Sequence, residues 1–318
     1  MVNLIISAVI CGASYLFGCV GEIITEKAGH LNLGIPGIMC MGAVGGALGA
    51  YVCDSTSWIV LILMSLLFSM LFSALGSGIY ALLTVSLRCN QNITGLALTT
   101  FGAGFSQVII DSFNSPETLS RLAKASDVIS KGLPFADKLG DFGRLFLSYG
   151  FYIYLAVAIA IVAHIILKRS RVGLNLRAVG ENPGAADAVG INVTAYKYIA
   201  IIVGGVIAGL GGVTNFLGPI ARGGDSNFCV TVSAIGWISI ALVIFSLWKP
   251  VLAIFGSFVF AVLYTLFSYI RASSATAELY KMLPYLVTIV VLVLTSIKSN
   301  KELQAPQALG VPYFREER

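Results

Sequence analysis

The side chains able to do chemistry are few, and their spacing does not suit catalysis. Only two histidines occur, His30 and His164, on separate polar edges of apolar runs. A membrane-embedded enzyme would need a convergent acid, base or metal cluster, and the sequence spells none. Six cysteines (Cys11, Cys19, Cys40, Cys53, Cys89 and Cys229) are scattered without a CxxC pair. Most lie in apolar runs, where cysteine acts as a small hydrophobe, so neither a disulfide framework nor a metal site is expected. No Gly-Lys dipeptide is present, hence no loop of the kind that cradles ATP phosphates. What remains is uncharged: Asn32 ahead of Gly34 and Gly37, and Gln91, Asn92 and Thr94 ahead of a second glycine-bearing run. Amides at the mouth of a span can exchange hydrogen bonds with a polar, neutral solute, for which unpaired burial is costly. They can equally cap helix ends, and the residues themselves leave both roles open.

A second polar stretch is longer. Residues 168–197 carry five bases (Lys168, Arg169, Arg171, Arg177, Lys197) against two acids, Glu181 and Asp187. Within it a short helix is spelled out. Asn182 is the N-cap, Pro183 takes the first helical position, small residues run from Gly184 to Ala188, and Gly190 is the stop. Thr194 is placed to cap the next helix, which continues through Tyr198. A two-turn helix would thus lie across the ends of two spans, and an ordinary basic loop needs no such capped element.

The elements that position these stretches are membrane spans. Of 318 residues, 57% are hydrophobic and 11% charged, and the mean hydropathy is +0.90. Soluble domains carry about 25% charged residues. The expected fold is all-α, one polytopic helical membrane bundle over 1–318 with no soluble appendage. The net charge of +5 belongs to loops at the membrane face, not to a nucleic-acid site.

Taken in order, residues 4–21 form an uncharged run with no positive region before it, read as a retained span. Glu22, Glu26, Lys27 and His30 mark a short polar segment. In the following run Gly42, Gly46 and Ala50 are spaced by four, as are Gly45 and Gly49, a face for close helix packing. Residues 55–87 suit one tilted helix with an interfacial extension. The polar stretch 111–148 has five acids and five bases, and its neutrality puts it outside, with 168–197 inside. Residues 145–167 span between them, with His164 near the inner interface. The run 198–221 repeats the close-packing pattern at Gly204, Ala208 and Gly212, beside Gly205 and Gly209. Arg222 to Asp225 make an outer turn, Trp248 to Pro250 an inner one, and 271–281 an outer loop before a last span at 282–298. The count is about nine spans (eight to ten), with the amino end outside and the carboxyl end inside.

Against this reading stands a resemblance. The order Gly173, Arg177, Ala178, Val179, Gly180, Glu181, Asn182, Pro183, Ala186, Gly190, Ile191 closely resembles the coupling loop of the permease subunits of ABC importers for simple sugars and nucleosides. Glu26, Gly29, Asn32, Leu33, Gly34, Gly37, Ile38 and Met39 match a second block of that family. Asn90, Gln91, Thr94, Gly95, Leu96, Ala97 and Leu98 match a third, and Ala208 to Gly212 and the Trp248-x-Pro250 turn match two more. Pro36 departs from the common Val, and the family's usual Glu just before Gly37 is missing. The similarity runs from residue 21 to about 270.

The resemblance implies an ABC importer permease fold and a transport subunit that is not an enzyme. ATP would bind and be hydrolysed on a separate ATPase subunit, and no cofactor would sit on this chain. Gly173, Arg177, Gly180, Glu181, Asn182, Pro183, Ala186 and Gly190 would couple to that ATPase. Other partners would be a second permease (as a heterodimer, with a homodimer as the alternative), an extracytoplasmic substrate-binding protein and membrane lipid. The place would be the bacterial plasma membrane. The implied cargo is a nucleoside or simple sugar, nucleosides first because the chain looks most like the shorter permease of nucleoside systems, with a flavin-type vitamin as a further alternative. An ion-coupled secondary carrier is the alternative from another class. It would normally carry a charged side chain in a central apolar run, and those runs hold none.

Overall fold

In lipid a backbone has no water to bond, so long apolar runs close their hydrogen bonds internally as helices. The computed structural model describes residues 2–53, 57–112, 116–132, 143, 148–217, 228–266, 274–297 and 304–314. Its helices are α1 (Val2–Lys27), α2 (Ile35–Val52), α3 (Trp58–Ala81), α4 (Gln91–Ser112), α5 (Pro116–Ile129), α6 (Phe151–Arg169), α7 (Arg171–Glu181), α8 (Pro183–Ala188), α9 (Val193–Asn215), α10 (Phe228–Phe245), α11 (Pro250–Thr265) and α12 (Ser274–Ile297). Among the described residues seven helices are long and apolar enough to cross a membrane, and Pro250–Thr265 and Met282–Val293 are shorter apolar helices. The fold is the expected polytopic all-α bundle, and the span count agrees.

The centre is α2, packed by α3, α9, α4 and α10, while α1 packs on α9, α11, α10 and α6. Small residues make this possible. A Cβ on Gly42 would stand 2.5 Å from the Gly209 Cα, so α2 and α9 touch backbone to backbone. Gly45 and Gly49 turn to the other side, against Phe68, Phe72 and Met64 of α3. The two glycine spacings of α2 therefore serve two different neighbours.

The long run after residue 55 is a single helix, with α3 passing into a π-helical segment, Leu82–Ser86. The 28 residues from Ile59 to Ser86 rise about 42 Å, more than a bilayer core, so the helix must tilt or emerge. Its two faces are sorted in the sense opposite to a soluble helix. Ser65, Ser69, Ser73 and Ser77 are buried, while Leu63, Leu67, Leu71, Leu75 and Ile79 are exposed. Ser73 and Ser77 hydroxyls donate to the carbonyls four residues back at 2.6 and 2.7 Å, and Ser69 donates to the Gly209 carbonyl at 3.2 Å. Small hydroxylic residues let α9 come close, and leucines face lipid tails as apolar as themselves.

Several boundaries differ from the sequence expectation. Helix α1 does not stop at residue 21 but runs to Lys27, carrying Glu22 and Glu26 into the buried interior. No glycine or proline interrupts residues 22–27, and each acid accepts one hydrogen bond from another part of the chain, Glu22 from Asn32 N and Glu26 from the Trp248 indole. The last helix starts at Ser274, so Glu278, Lys281 and the internal Pro284 are helical and not a loop. Helix α6 begins at Phe151, after Gly150. The neutral stretch 111–148 contains a helix, α5, which packs on α2 and α3 through Leu122 and Ala125. The turn expected at Arg222 to Asp225 lies outside the described residues.

Candidate functional site

Beyond the end of α6 the chain makes two short helices in succession. Ser170 caps α7, its Oγ accepting from Gly173 N at 3.0 Å. Asn182 then ends α7 and starts α8, its Oδ1 accepting from Ala185 N at 2.9 Å, with Pro183 in the first helical position. Gly190 closes α8 at φ +86, where an L side chain is strained, and Ile191 N reaches back to Ala186 O at 3.0 Å. The short helix is the one the sequence spells. The amphipathic α7 before it, eleven residues long, was missed, although Ser170 followed by apolar residues at helical spacing signals it. The cap of α9 is Asn192, which accepts from Ala195 N at 3.0 Å, and not the expected Thr194. Thr194 sits exposed in the first turn. An N-cap must precede the turn it closes, and Asn192 stands one residue before Val193.

The eight residues singled out in this stretch divide into two groups. Arg177, Glu181, Asn182 and Gly190 are exposed and Pro183 partly so. Gly173, Gly180 and Ala186 are buried. A Cβ on Gly173 or Gly180 would run into the backbone of α6 at Ile166 or of α1 at Lys27. These two glycines hold α7 against the span ends. Ala186 packs inward with Val179 and Val193. Beside it Val189 is 77% exposed, the most exposed large apolar side chain among the described residues.

Chain ends converge here. The Gly180 carbonyl accepts from Ala308 N at 3.0 Å, and Gly29 O accepts from Gly310 N at 3.3 Å. The Tyr313 hydroxyl donates to Asp187 Oδ2 at 2.9 Å, and the Arg88 guanidinium lies 4.9 Å over the Phe314 ring. Residues 304–314 thus strap α7 and α8 to the α1–α2 connection. The sequence reading placed this tail on the same side but gave it no contact.

The α1–α2 connection, residues 28–34, is fixed from three elements, α1, α3 and α4. Asn32 N donates to Glu22 Oε1 at 2.8 Å and Leu31 N to Gln91 Oε1 at 2.9 Å. Tyr80 donates to Leu31 O at 2.6 Å, and Thr99 to Leu33 O at 2.7 Å. Asn32 itself turns its Oδ1 onto Gly34 N at 2.9 Å, leading into α2. Two of the three amides suggested for a solute path, Asn32 and Gln91, are therefore buried and use their oxygens on this backbone. Their Nδ2 and Nε2 atoms are buried without a partner among the described residues. Asn92 is exposed and Thr94 buried. The cap of α4 is Asn90, whose Oδ1 accepts from Asn92 N and Ile93 N at 3.0 and 3.1 Å. His30, in the same connection, is pushed down to about 3 by burial and by the Lys197 charge, so it is neutral near pH 7.

Glu26 accepts from the Trp248 indole N–H. That bond ties α1 to the α10–α11 turn, where Leu247 and Trp248 both take positive φ of 53°. Residues without glycine's freedom hold such a conformation only when the surroundings fix it. Here the indole bond, Trp248 N to Val243 O at 3.2 Å, and Pro250 opening α11 do so. The Trp-x-Pro turn is present as expected, and its partner Glu26 stands in what the sequence marks only as a short polar segment.

The architecture is a multi-pass helical bundle with an ordered helix pair outside its spans. Comparison with known proteins agrees. Residues 4–292 match the family described as branched-chain amino acid transport system / permease component, and the chain belongs to that family. It is 30% identical to the nucleoside ABC transporter permease protein NupC of Lactococcus lactis subsp. cremoris, over 94% of this chain and 93% of that one. It is 28% identical to the guanosine ABC transporter permease protein NupQ of Bacillus subtilis, over 98% and 96%. A second Lactococcus protein, the nucleoside ABC transporter permease protein NupB, is 24% identical over 91% and 78%. The chain is thus an ABC transporter permease, and the ion-coupled carrier drops out.

Proposed function

We propose that this chain is the membrane subunit of an importer that moves a nucleoside across the bacterial plasma membrane, driven by a separate ATPase docked on α7 and α8. The observation that carries the coupling role is the α7–α8 pair itself. Two successive caps and a strap of tail hold it rigidly on the ends of α1 and α6, while Val189, Glu181 and Asn182 face outward. A rigid lever on span ends transmits a partner's movement to the bundle as a rigid-body shift. ATP would be held by the partner, and this chain would need no cofactor of its own.

The nucleoside cargo is supported by the similarity to NupC and NupQ over nearly their whole lengths. Because two nucleoside ABC transporter permease proteins of one Lactococcus strain, NupC and NupB, both resemble this chain, a heterodimer with a second permease is favoured over a homodimer. An extracytoplasmic binding protein would deliver the solute to the opposite face. The whole of 1–318 would act as one transmembrane domain.

The test is uptake of a labelled nucleoside by cells expressing the chain with its ATPase, second permease and binding protein. Uptake that is competed by unlabelled nucleosides and not by simple sugars supports the reading. Competition by sugars alone would move the cargo to the sugar class.

A further inference from the structure

Where α1, α6 and the α10–α11 turn end together, α7 and the tail roof a cavity of about 600 Å³. Its wall carries Lys27, Lys168, Arg177 and Lys249, with His164 and the single acid Glu181. Glu181 is approached by Gln307 N at 3.4 Å. Lys27 is attracted by Glu181 and Glu26 and repelled by Arg177 and Lys249. Four bases from four separate elements have been brought to one cavity against one acid, an arrangement that repels itself unless an anion fills it.

The position of the cavity says which anion. It lies at span ends, the level of lipid headgroups. Below it α6 and α11 pack together and expose Val162, Ile165 and Ile166 on one helix and Leu252, Phe255 and Val259 on the other. A charged chamber above an apolar helix surface suits a molecule that is anionic at one end and aliphatic along the rest. We propose that this cavity binds the phosphate headgroup of an anionic membrane phospholipid, whose acyl chains lie on the outer faces of α6 and α11. The bound lipid bridges the α1 end, α7 and the α10–α11 turn. This inference needs the chain to be a membrane protein and does not depend on its cargo.

The experiment is native mass spectrometry of the full-length chain in detergent, offered equal amounts of phosphatidylglycerol and phosphatidylcholine with matched acyl chains. The wild type should retain phosphatidylglycerol over phosphatidylcholine by about tenfold or more, since each base near the headgroup contributes several-fold. Lys168→Gln with Lys249→Gln should bring the ratio to about twofold, a loss of the several-fold contribution of each base. Lys168→Arg with Lys249→Arg should keep it, and so should the matched charge loss Lys124→Gln with Lys131→Gln. Inorganic phosphate should not displace the lipid. No preference in the wild type would overturn the proposal whatever the variants do. Full displacement by inorganic phosphate would make the cavity a free-phosphate site. An unchanged ratio in the Gln pair, with lost binding of the ATPase, would give these bases to the partner subunit.

Discussion

Gln91 accepts a backbone hydrogen bond with its side-chain oxygen. Its neutral amide beside a glycine-bearing helix suggested contact with a solute, yet its Oε1 holds Leu31 N inside the α1–α2 connection. Gln91→Leu strands that buried donor and should lower stability by about 1–3 kcal/mol. Gln91→Glu keeps the acceptor and, melted at about pH 4 where its carboxyl is neutral, should lose much less. Thermal melts in detergent check the order, and equal melts for the two would remove the anchoring role. His30 gives a pH prediction of definite sign. Its value is held at about 3, below the usual histidine value, so the folded chain binds fewer protons than the unfolded one between about pH 3 and 6.5. The stability it contributes is complete above about pH 6.5 and falls as pH drops through that window. The melting temperature of the wild type should fall more steeply than that of His30→Gln between pH 7 and 5, measured side by side so that other groups cancel. Parallel curves would contradict it.

At the scale of elements, close helix contacts decide which glycines are indispensable. Gly42→Leu would drive a side chain into the backbone of α9 at Gly209 and should prevent accumulation of folded protein. At Gly78 and Gly104 an added Cβ meets nothing within 4 Å. Gly78→Ala or Gly104→Ala should therefore be neutral or stabilising by up to about 1 kcal/mol. Size-exclusion profiles and melts separate the two classes, and a tolerated Gly42→Leu would refute the contact. The sequence made this packing legible because spacing by four is a helical property that no tertiary fact can alter. The short helix α8 was legible for a similar reason, since Asn182, Pro183 and Gly190 signal locally. Glu22 and Glu26 were not. Their donors, Asn32 N and the Trp248 indole, lie ten and more than two hundred residues away, and without them two acids near a helix end read as solvated. The tail strap was hidden likewise, since it is held mostly by backbone groups that sequence does not distinguish. The serine stripe of α3 sat in plain view, but small hydroxyls inside a membrane helix reveal their face only once a neighbour is known.

For the whole molecule, the account requires one orientation in the membrane. In a background without native cysteines, a cysteine at Ser130 should react with an impermeant reagent from outside. One at Leu174, exposed on α7, should react only after the membrane is opened. Reaction of both from outside would overturn the arrangement. The central claim is that the outer side of the α7–α8 pair receives the ATPase. Val189 is on that side and is mostly exposed, whereas Ala186 points into the cluster with Val179 and Val193. Ala186→Arg should therefore lower the yield of folded protein as well as transport, and cannot isolate docking. Val189→Asp can. The decisive measurement is co-purification of the ATPase with Val189→Asp, alongside ATP-dependent nucleoside uptake. The account predicts a normal amount of folded permease, at least about tenfold weaker retention of the ATPase, as for a contact residue near the centre of an interface, and loss of uptake. Full ATPase retention and wild-type uptake in Val189→Asp would contradict it.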